Sequence, residues 1–322
     1  MNDAAMNGLL IVDKPGLVEA VQMQNAEQPR LLTSHDVVQR ARRWSKQKRI
    51  GHTGTLDPMA SGVMVLCLGK ATRLVEYYQG HAKQYVAEIH LGRATDSYDA
   101  TGETVITSPV PALSEALIES ALQRFRGEIQ QLPPIFSALK QAGESLHYKA
   151  RRGEEITVEA RTVTFYQLDL LHYLPQEDRI VLRARCSAGT YIRSLAYDLG
   201  LALGTYGHLA ALRREAAGAF TLAQAHTLAT LEQAAQAGHL AELLLPAGYG
   251  LDLPTLPVDE SSARRLAQGQ KVVLPPAEQT LSSPLAQAYD VHNELVGIVR
   301  CLGRANGSDG LLWQAEKWLA EQ

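Results

Sequence analysis

The stretch Gly51-His52-Thr53-Gly54-Thr55-Leu56-Asp57-Pro58-Met59-Ala60-Ser61-Gly62 sets one carboxylate among Gly, Thr, Ser and Pro, then runs straight into the apolar Val63–Leu68. A loop that feeds a buried strand mounts its side chains on a rigid element, and reacting groups tend to sit on such loops. Asp57 has no acidic neighbour close in sequence. Two chemistries are then open to it, nucleophile and general base. The plain alternative is an Asx-turn, in which Asp57 bonds its own backbone ahead of Pro58. No second carboxylate is clearly paired with it, which speaks against a glycosidase.

Cationic side chains lie on either side of this loop. Ser34 is placed to cap a helix from about His35 to Trp44. That helix leads into Arg40, Arg42, Arg43, Lys46, Lys48 and Arg49, with no acid between Asp36 and Asp57. Such a run is either a solvated helix face or a patch that contacts phosphates. Further on, Pro133-Pro134 opens an irregular segment to about Gly153 that carries Lys140, Lys149, Arg151 and Arg152, with Tyr148 among them. Rings and cations interleaved in a loop suit single-stranded RNA, because bases stack on the rings while the cations hold phosphates.

The elements that must position these groups are mixed. Leu9–Val12 and Val63–Leu68 read as buried strands, with a short helix near 71–79. Lys83–Leu91 alternates, placing Tyr85, Ala87, Ile89 and Leu91 on one face. Ser114–Arg126 reads as an amphipathic helix with Gly127 just past its end. Residues 161–173 and 179–187 read as strands, and a helix follows from about Tyr191 to Leu203. The stretch from His208 to Leu245 reads as helix-rich. Residues 17–31 are polar and Gln-rich without a clear period, and read as a flexible loop. Strands and helices do not alternate regularly, which predicts an α+β fold. Pro246–Pro257 reads as a linker. Beyond it, short apolar runs between turns predict a small β-rich barrel or sandwich. The expected division is 1–250 and 251–322.

Composition sets limits. At 322 residues the chain is long enough for two cores. A formal charge of −3 means that any nucleic-acid binding must come from local basic patches. Cys67, Cys186 and Cys301 are isolated from one another. They argue against a disulfide framework and a zinc site, and for a reducing compartment. No apolar run approaches the ~20 residues of a membrane helix. No secretory signal is evident. A cytoplasmic location is expected.

The run from Gly51 through Gly62 and on to Arg73 resembles the catalytic signature of the TruB family of tRNA pseudouridine synthases. Three further stretches extend the resemblance. Lys83-Gln84-Tyr85 is similar to the family's Lys-x-Tyr strand. The segment Thr95-Asp96-Ser97-Tyr98-Asp99-Ala100-Thr101-Gly102 is similar to its Thr-Asp-x-x-Asp-Ala-x-Gly loop. Ser187-Ala188-Gly189-Thr190-Tyr191-Ile192-Arg193-Ser194-Leu195 is similar to its third motif. Leu212-Arg213-Arg214, Lys14-Pro15, Thr33-Ser34 and Pro133–Lys140 are also shared in type. The chain departs from the family at 16–32, where an insertion separates Pro15 from Thr33 and leaves the roles of Lys14 and Thr33 open.

The resemblance implies a set of roles. Asp57 is the essential residue, His52 helps displace the target nucleotide, and the Tyr85 ring stacks on the base. Asp99 joins an active-site hydrogen-bond network, Arg193 and Tyr191 supply the motif's arginine and aromatic residue, and Leu212 lines the base pocket. The implied reaction isomerises uridine 55 in the tRNA T-loop to pseudouridine, with no energy source or redox cofactor. The C-terminal domain is PUA-like by the same analogy. The expected enzyme is a monomer that acts on the T-arm of tRNA without an obligatory protein partner. Two rivals are a guide-RNA particle built on the same fold and an RNA chaperone without catalysis. Helical content at 208–245 and the lack of a basic tail favour the stand-alone form.

Overall fold

A computed structural model describes residues 5–24, 30–134, 140–141, 144–145, 152, 158–275, 283–305 and 309–320. The described strands are β1 (Gly8–Lys14), β2 (Ile50–His52), β3 (Ser61–Leu68), β4 (Lys83–Leu91), β5 (Arg93–Thr95), β6 (Thr104–Thr107), β7 (Gly127–Gln131), β8 (Lys140–Gln141), β9 (Glu144–Ser145), β10 (Arg161–Leu174), β11 (Arg179–Cys186), β12 (Gly207–Ala217), β13 (Phe220–Thr221), β14 (His226–Thr227), β15 (Thr255–Pro257), β16 (Val272–Leu274), β17 (Leu285–Tyr289), β18 (Leu295–Arg304) and β19 (Leu311–Trp318). The described α-helices are α1 (Leu17–Gln24), α2 (Ser34–Ser45), α3 (Val75–Gln79), α4 (Glu115–Leu122), α5 (Ile192–Ala202), α6 (Leu228–Ala237) and α7 (Glu260–Ala267).

A mixed ten-stranded sheet, in order β14-β1-β3-β12-β4-β11-β10-β7 with β2 and β13 at its side, carries the first part of the chain. Most pairs are antiparallel; β1 with β14 and β3 with β12 are parallel. This is the α+β arrangement expected from the sequence. Every residue of β3 is buried. Met64, Leu66 and Leu68 face one apolar cluster, and Val63, Val65 and Cys67 face another. A strand covered on both faces reads as an unbroken apolar run, as this one does. In β4 only one face is fully covered, and the period of two survives in its burial pattern.

The second sheet runs β15-β17-β18-β19-β16. It closes with α7 around a cluster that includes Leu256, Leu266, Val299 and Trp313. Leu251 and Leu253 of the connecting segment join Ile298 and Leu319 in the cluster beneath β1 and β3.

Three expectations are corrected here. The segment 208–245 is not helix-rich: Gly207–Ala217 is β12, at the centre of the main sheet between β3 and β4. Its Ala, Leu, Arg and Glu are good helix formers, but pairing on both edges overrides that weak preference. Only α6 and the short 3₁₀ turns Leu222–Gln224 and Leu240–Leu243 are helical there, so helical content no longer argues for stand-alone action. The reading of 17–31 as a flexible loop fails for Leu17–Gln24, which is helical. No period was visible because Val18 and Val21 point to solvent while, among the described side chains, only Leu17 and the small Ala20 pack inward. Finally, α2 is capped by Thr33, in a reciprocal capping box with Asp36, and Ser34 is turned inward.

Candidate active site

The loop from Thr53 to Ala60 joins β2 to β3, and three side chains from distant parts of the chain fasten its backbone. Lys14, at the end of β1 and fully buried, donates through Nζ to the carbonyls of Pro15 (3.0 Å), Pro58 (3.0 Å) and Ala60 (2.7 Å). Ser34 Oγ donates to the Leu56 carbonyl and accepts from the Leu56 amide, each at 2.9 Å. Arg214 of β12 donates to the carbonyls of Val63 (2.6 Å), Gly54 (3.1 Å) and Thr55 (3.3 Å). Gly62 sits at φ +106°, and a Cβ there would overlap the Arg214 backbone. Only glycine lets the two strands approach this closely.

Within the loop, the Ala60 amide closes a turn on the Asp57 carbonyl at 3.0 Å. The Asp57 carboxylate is directed to Arg193 of α5. Arg193 Nη2 donates to Oδ1 at 3.3 Å. Nε stands 3.0 Å from Oδ2 as an ion-pair contact that lies off the N–H axis. The third nitrogen, Nη1, donates to the Ser97 carbonyl at 3.0 Å and lies 3.7 Å from Asp99 Oδ2. Asp99 is held in turn by Ser97 Oγ (2.8 Å), the Thr101 amide (2.9 Å) and Thr101 Oγ1 (2.6 Å). One buried guanidinium therefore serves two carboxylates and a carbonyl.

The electrostatics follow from that arrangement. The Asp57 side chain keeps 34% of its surface open. Burial of the rest pushes its carboxyl above the ordinary range and the nearby Asp99 adds to this, while Arg193 and Lys14 pull it back. Burial lowers Lys14 to about 8, against the opposing pull of Asp57 and Glu19.

Tyr85 lies on β4, across from Ala184 and Arg214, and packs on the main cluster together with Leu212. Burial raises its phenol strongly, so the ring carries a protonated hydroxyl at neutral pH; Arg214 opposes the shift. His52 ends β2, opposite Leu66. Burial, Arg214 and His35 all lower it, which keeps the imidazole neutral. Its Nδ1 is buried with no hydrogen-bond partner among the described residues. Tyr191 caps α5, and the Gln131 side chain grips its backbone amide (2.8 Å) and carbonyl (3.0 Å).

The structure thus gathers Asp57, Arg193 and Asp99 into one network, with Tyr85 close enough to feel the charge of Asp57. Sequence reasoning gave Ser34 to the helix cap rather than to the loop, quoted Ser97 within a motif without giving it a role, and missed Gln131. It also passed over Arg214, although the run Leu212-Arg213-Arg214 was among the stretches that resemble the family. Lys14 still meets the loop despite the insertion after Pro15. Of the basic residues, Arg43, Lys46, Lys48 and Arg49 are exposed, while Arg40 and Arg42 are half-buried. Arg42 reaches the Ile50 carbonyl at 3.5 Å, and Arg49 holds Thr72 Oγ1 at 2.8 Å. Arg152 is exposed. Lys149 and Arg151 lie outside the described residues, as does the Lys140 side chain. A cavity of about 1040 Å³ lies apart from Asp57, between α1, α2 and α6, and is lined by Glu19, Arg40, Arg213 and Glu232 among others.

Comparison with known proteins places the chain in a family. Residues 42–192 match the model of the TruB family pseudouridylate synthase N-terminal domain, and 193–252 match the tRNA pseudouridylate synthase B C-terminal domain. The chain is 42% identical over 278 residues to tRNA pseudouridine synthase B of Dehalococcoides mccartyi, covering 86% of this chain and 91% of that one. It is 41% identical over 306 residues to the protein of the same name from an Arthrobacter species, covering 92% and 94%. Among solved structures, a chain in a Cbf5-Nop10-Gar1 complex superposes with a TM-score of 0.71 at 25% identity, covering 98% of this chain and 85% of that one. The chain belongs to the TruB family of pseudouridine synthases, which are isomerases.

Proposed function

We propose that the protein isomerises uridine 55 in the T-loop of tRNA to pseudouridine, acting alone and without a cofactor, with Asp57 as the reacting carboxylate. The observation that carries this reading is the Asp57–Arg193 pair: a partly open carboxylate held by a buried guanidinium in a loop fastened from three sides.

The reaction breaks the N1–C1′ bond, turns the uracil and joins C5 to C1′; C5 loses a proton and N1 gains one. A carboxylate beside the sugar or the base can act as nucleophile or stabilise charge. Arg193 keeps it ionised and aimed. The freed base must stay between fixed walls, which Tyr85 and Leu212 provide. The target nucleotide must first leave its stack, at a cost of a few kcal/mol. His52, neutral and with a buried nitrogen unpaired among the described residues, is suited to fill or contact the space it leaves.

The exposed cations at the end of α2, Arg43, Lys48 and Arg49, are suited to the phosphates of a tRNA arm. The second sheet serves as a PUA-like module that contacts the arm further along. The relatives at 41–42% identity are named as tRNA enzymes, whereas the protein of the multi-subunit complex stands at 25%. That contrast favours stand-alone action over a guide-RNA particle.

The test is tritium release from a tRNA transcript labelled at uridine C5, with the product position mapped. Release by the protein alone from one T-loop site is expected. Release elsewhere would overturn the substrate, and no release with tight binding would favour the chaperone or guided reading.

A further inference from the structure

Helix α5 grips the loop that carries Asp99 at two levels. Arg193 and Tyr197 are four residues apart and share one side of the helix. Arg193 Nη1 donates to the Ser97 carbonyl at 3.0 Å and faces Asp99 at 3.7 Å. Tyr197 stacks on Tyr98, with ring centroids 4.3 Å apart and planes inclined by 15°. Offset stacking of this kind favours one arrangement of the two rings beyond the burial of their area. Three consecutive residues, 97, 98 and 99, are therefore tied to one face of α5.

The backbone at Tyr98 shows that this arrangement is imposed. Its φ is +61°, in the left-handed region that glycine and asparagine accept readily and a tyrosine does not. Such a conformation persists only where the surroundings over-determine it, and it tends to occur at functional sites. The surroundings are visible here. The Tyr98 amide donates to the Thr95 carbonyl at 3.2 Å, the Tyr98 carbonyl accepts from the Leu209 amide at 2.9 Å, and the ring is pinned by Tyr197. The peptide on one side of this strained residue presents the Ser97 carbonyl to Arg193, and the next residue presents the Asp99 carboxylate.

We propose that Tyr98 and Tyr197 are a positioning pair for the reaction: their stack sets the Ser97 carbonyl and the Asp99 carboxylate against Arg193, and so sets the guanidinium that holds Asp57. This rests on the reading of Asp57 as the reacting carboxylate. The charged and titratable groups that face Asp57 are Arg193 from α5, Asp99 from its loop, Lys14 from β1 and Tyr85 from β4. Without the stack, the 97–99 loop is free to relax and the Ser97 carbonyl no longer anchors Nη1. Arg193 then divides itself differently between two carboxylates. Asp57 loses part of its compensating cation and takes up its proton at higher pH.

The test uses the full chain, an unmodified tRNA transcript labelled at C5, single-turnover rates across a pH series, and tRNA affinity measured separately. Tyr197→Ala is expected to lower the single-turnover rate about tenfold, since small displacements of a reacting group are costly. It should also move the acid limb of the rate profile to higher pH and leave tRNA affinity unchanged. Tyr197→Phe keeps the ring and should restore both rate and profile. Tyr98→Gly removes the ring and suits a positive φ, so its melting temperature should hold or rise while its rate falls; that combination cannot arise from misfolding.

Wild-type rates and an unmoved acid limb in Tyr197→Ala and Tyr98→Gly would overturn the proposal. Weakened tRNA affinity with an unchanged rate would also overturn it, and would assign the rings to RNA contact. Asp57→Asn, run beside them, separates the two ideas. If it stays active, the reading of Asp57 fails; if it is inactive while the tyrosine variants behave as wild type, only the positioning role fails.

Discussion

Gly62 and Arg214 are register partners across the parallel pair β3–β12, and the approach is so close that no side chain fits on the glycine. Arg214 then reaches past that contact to the Val63 carbonyl of β3 and to the Gly54 and Thr55 carbonyls of the Asp57 loop. Gly62→Ala forces an L-residue to φ +106° and into a neighbouring backbone, for a destabilisation on the order of 3 kcal/mol. Chemical denaturation checks this through the shift in midpoint at constant slope.

Arg214→Met leaves the Gly54, Thr55 and Val63 carbonyls without their donor. The loop should loosen more than the fold does. The expected result is a fall of about a hundredfold in single-turnover rate. tRNA affinity should be little changed, and circular dichroism should match wild type. Arg214→Lys should recover little, because an ammonium cannot reproduce the planar fork.

Asp57→Asn keeps the size of the side chain and removes its charge. Turnover should fall about 10³-fold or more, with tRNA binding retained. Tritium release and a binding isotherm on the same preparation check both halves.

The pH dependence of stability tests Lys14. Its folded pKa, about 8, lies below its ordinary value of 10.5. Below pH 8 both states carry the proton, and the folded state bears the cost of a buried charge. Between about 8 and 10.5 the unfolded chain binds more protons, so this residue makes the protein more stable as pH rises through that window. Lys14→Met should lack this component, so the wild-type curve should rise relative to the variant from pH 8 to 10. Equal slopes for the two proteins would refute it. Lys83, also lowered to about 8, is common to both and cancels in the comparison.

Trp313 is fully buried in the cluster of the second sheet. Trp313→Ala should cost about 3–5 kcal/mol there. If that sheet contacts the tRNA arm, affinity should fall more than the single-turnover rate at saturating enzyme.

Much of this site was legible in the sequence, for physical reasons. The Asp57 loop announces itself because tight turns need Gly, Pro and small polar residues, and because the doubly covered β3 follows as an unbroken apolar run. β4 and β11 keep the period of a half-covered sheet, whereas β10 loses it at its bulges. β12 was illegible because its residues favour a helix in isolation, and only its two neighbours make it a strand. α1 was illegible because its valines face outward. Arg193 and Arg214 both stand beside helix- or strand-forming residues, and nothing local separates a surface arginine from one that closes on a loop far away in sequence. Ser34 and Gln131 act through ordinary hydrogen bonds to distant backbone, and the Ser97 carbonyl through one from the distant Arg193, which spacing does not encode.

β3 has β1 and β12 along its edges, β2 beside them, and an apolar cluster on each face. Its amides can meet solvent only when the whole sheet comes apart, so they belong to the slowest-exchanging class in the molecule. The Asp57 loop grows directly out of that strand. A form in which β3 has opened therefore cannot keep a formed site, and on heating, catalytic competence should be lost no later than the main sheet.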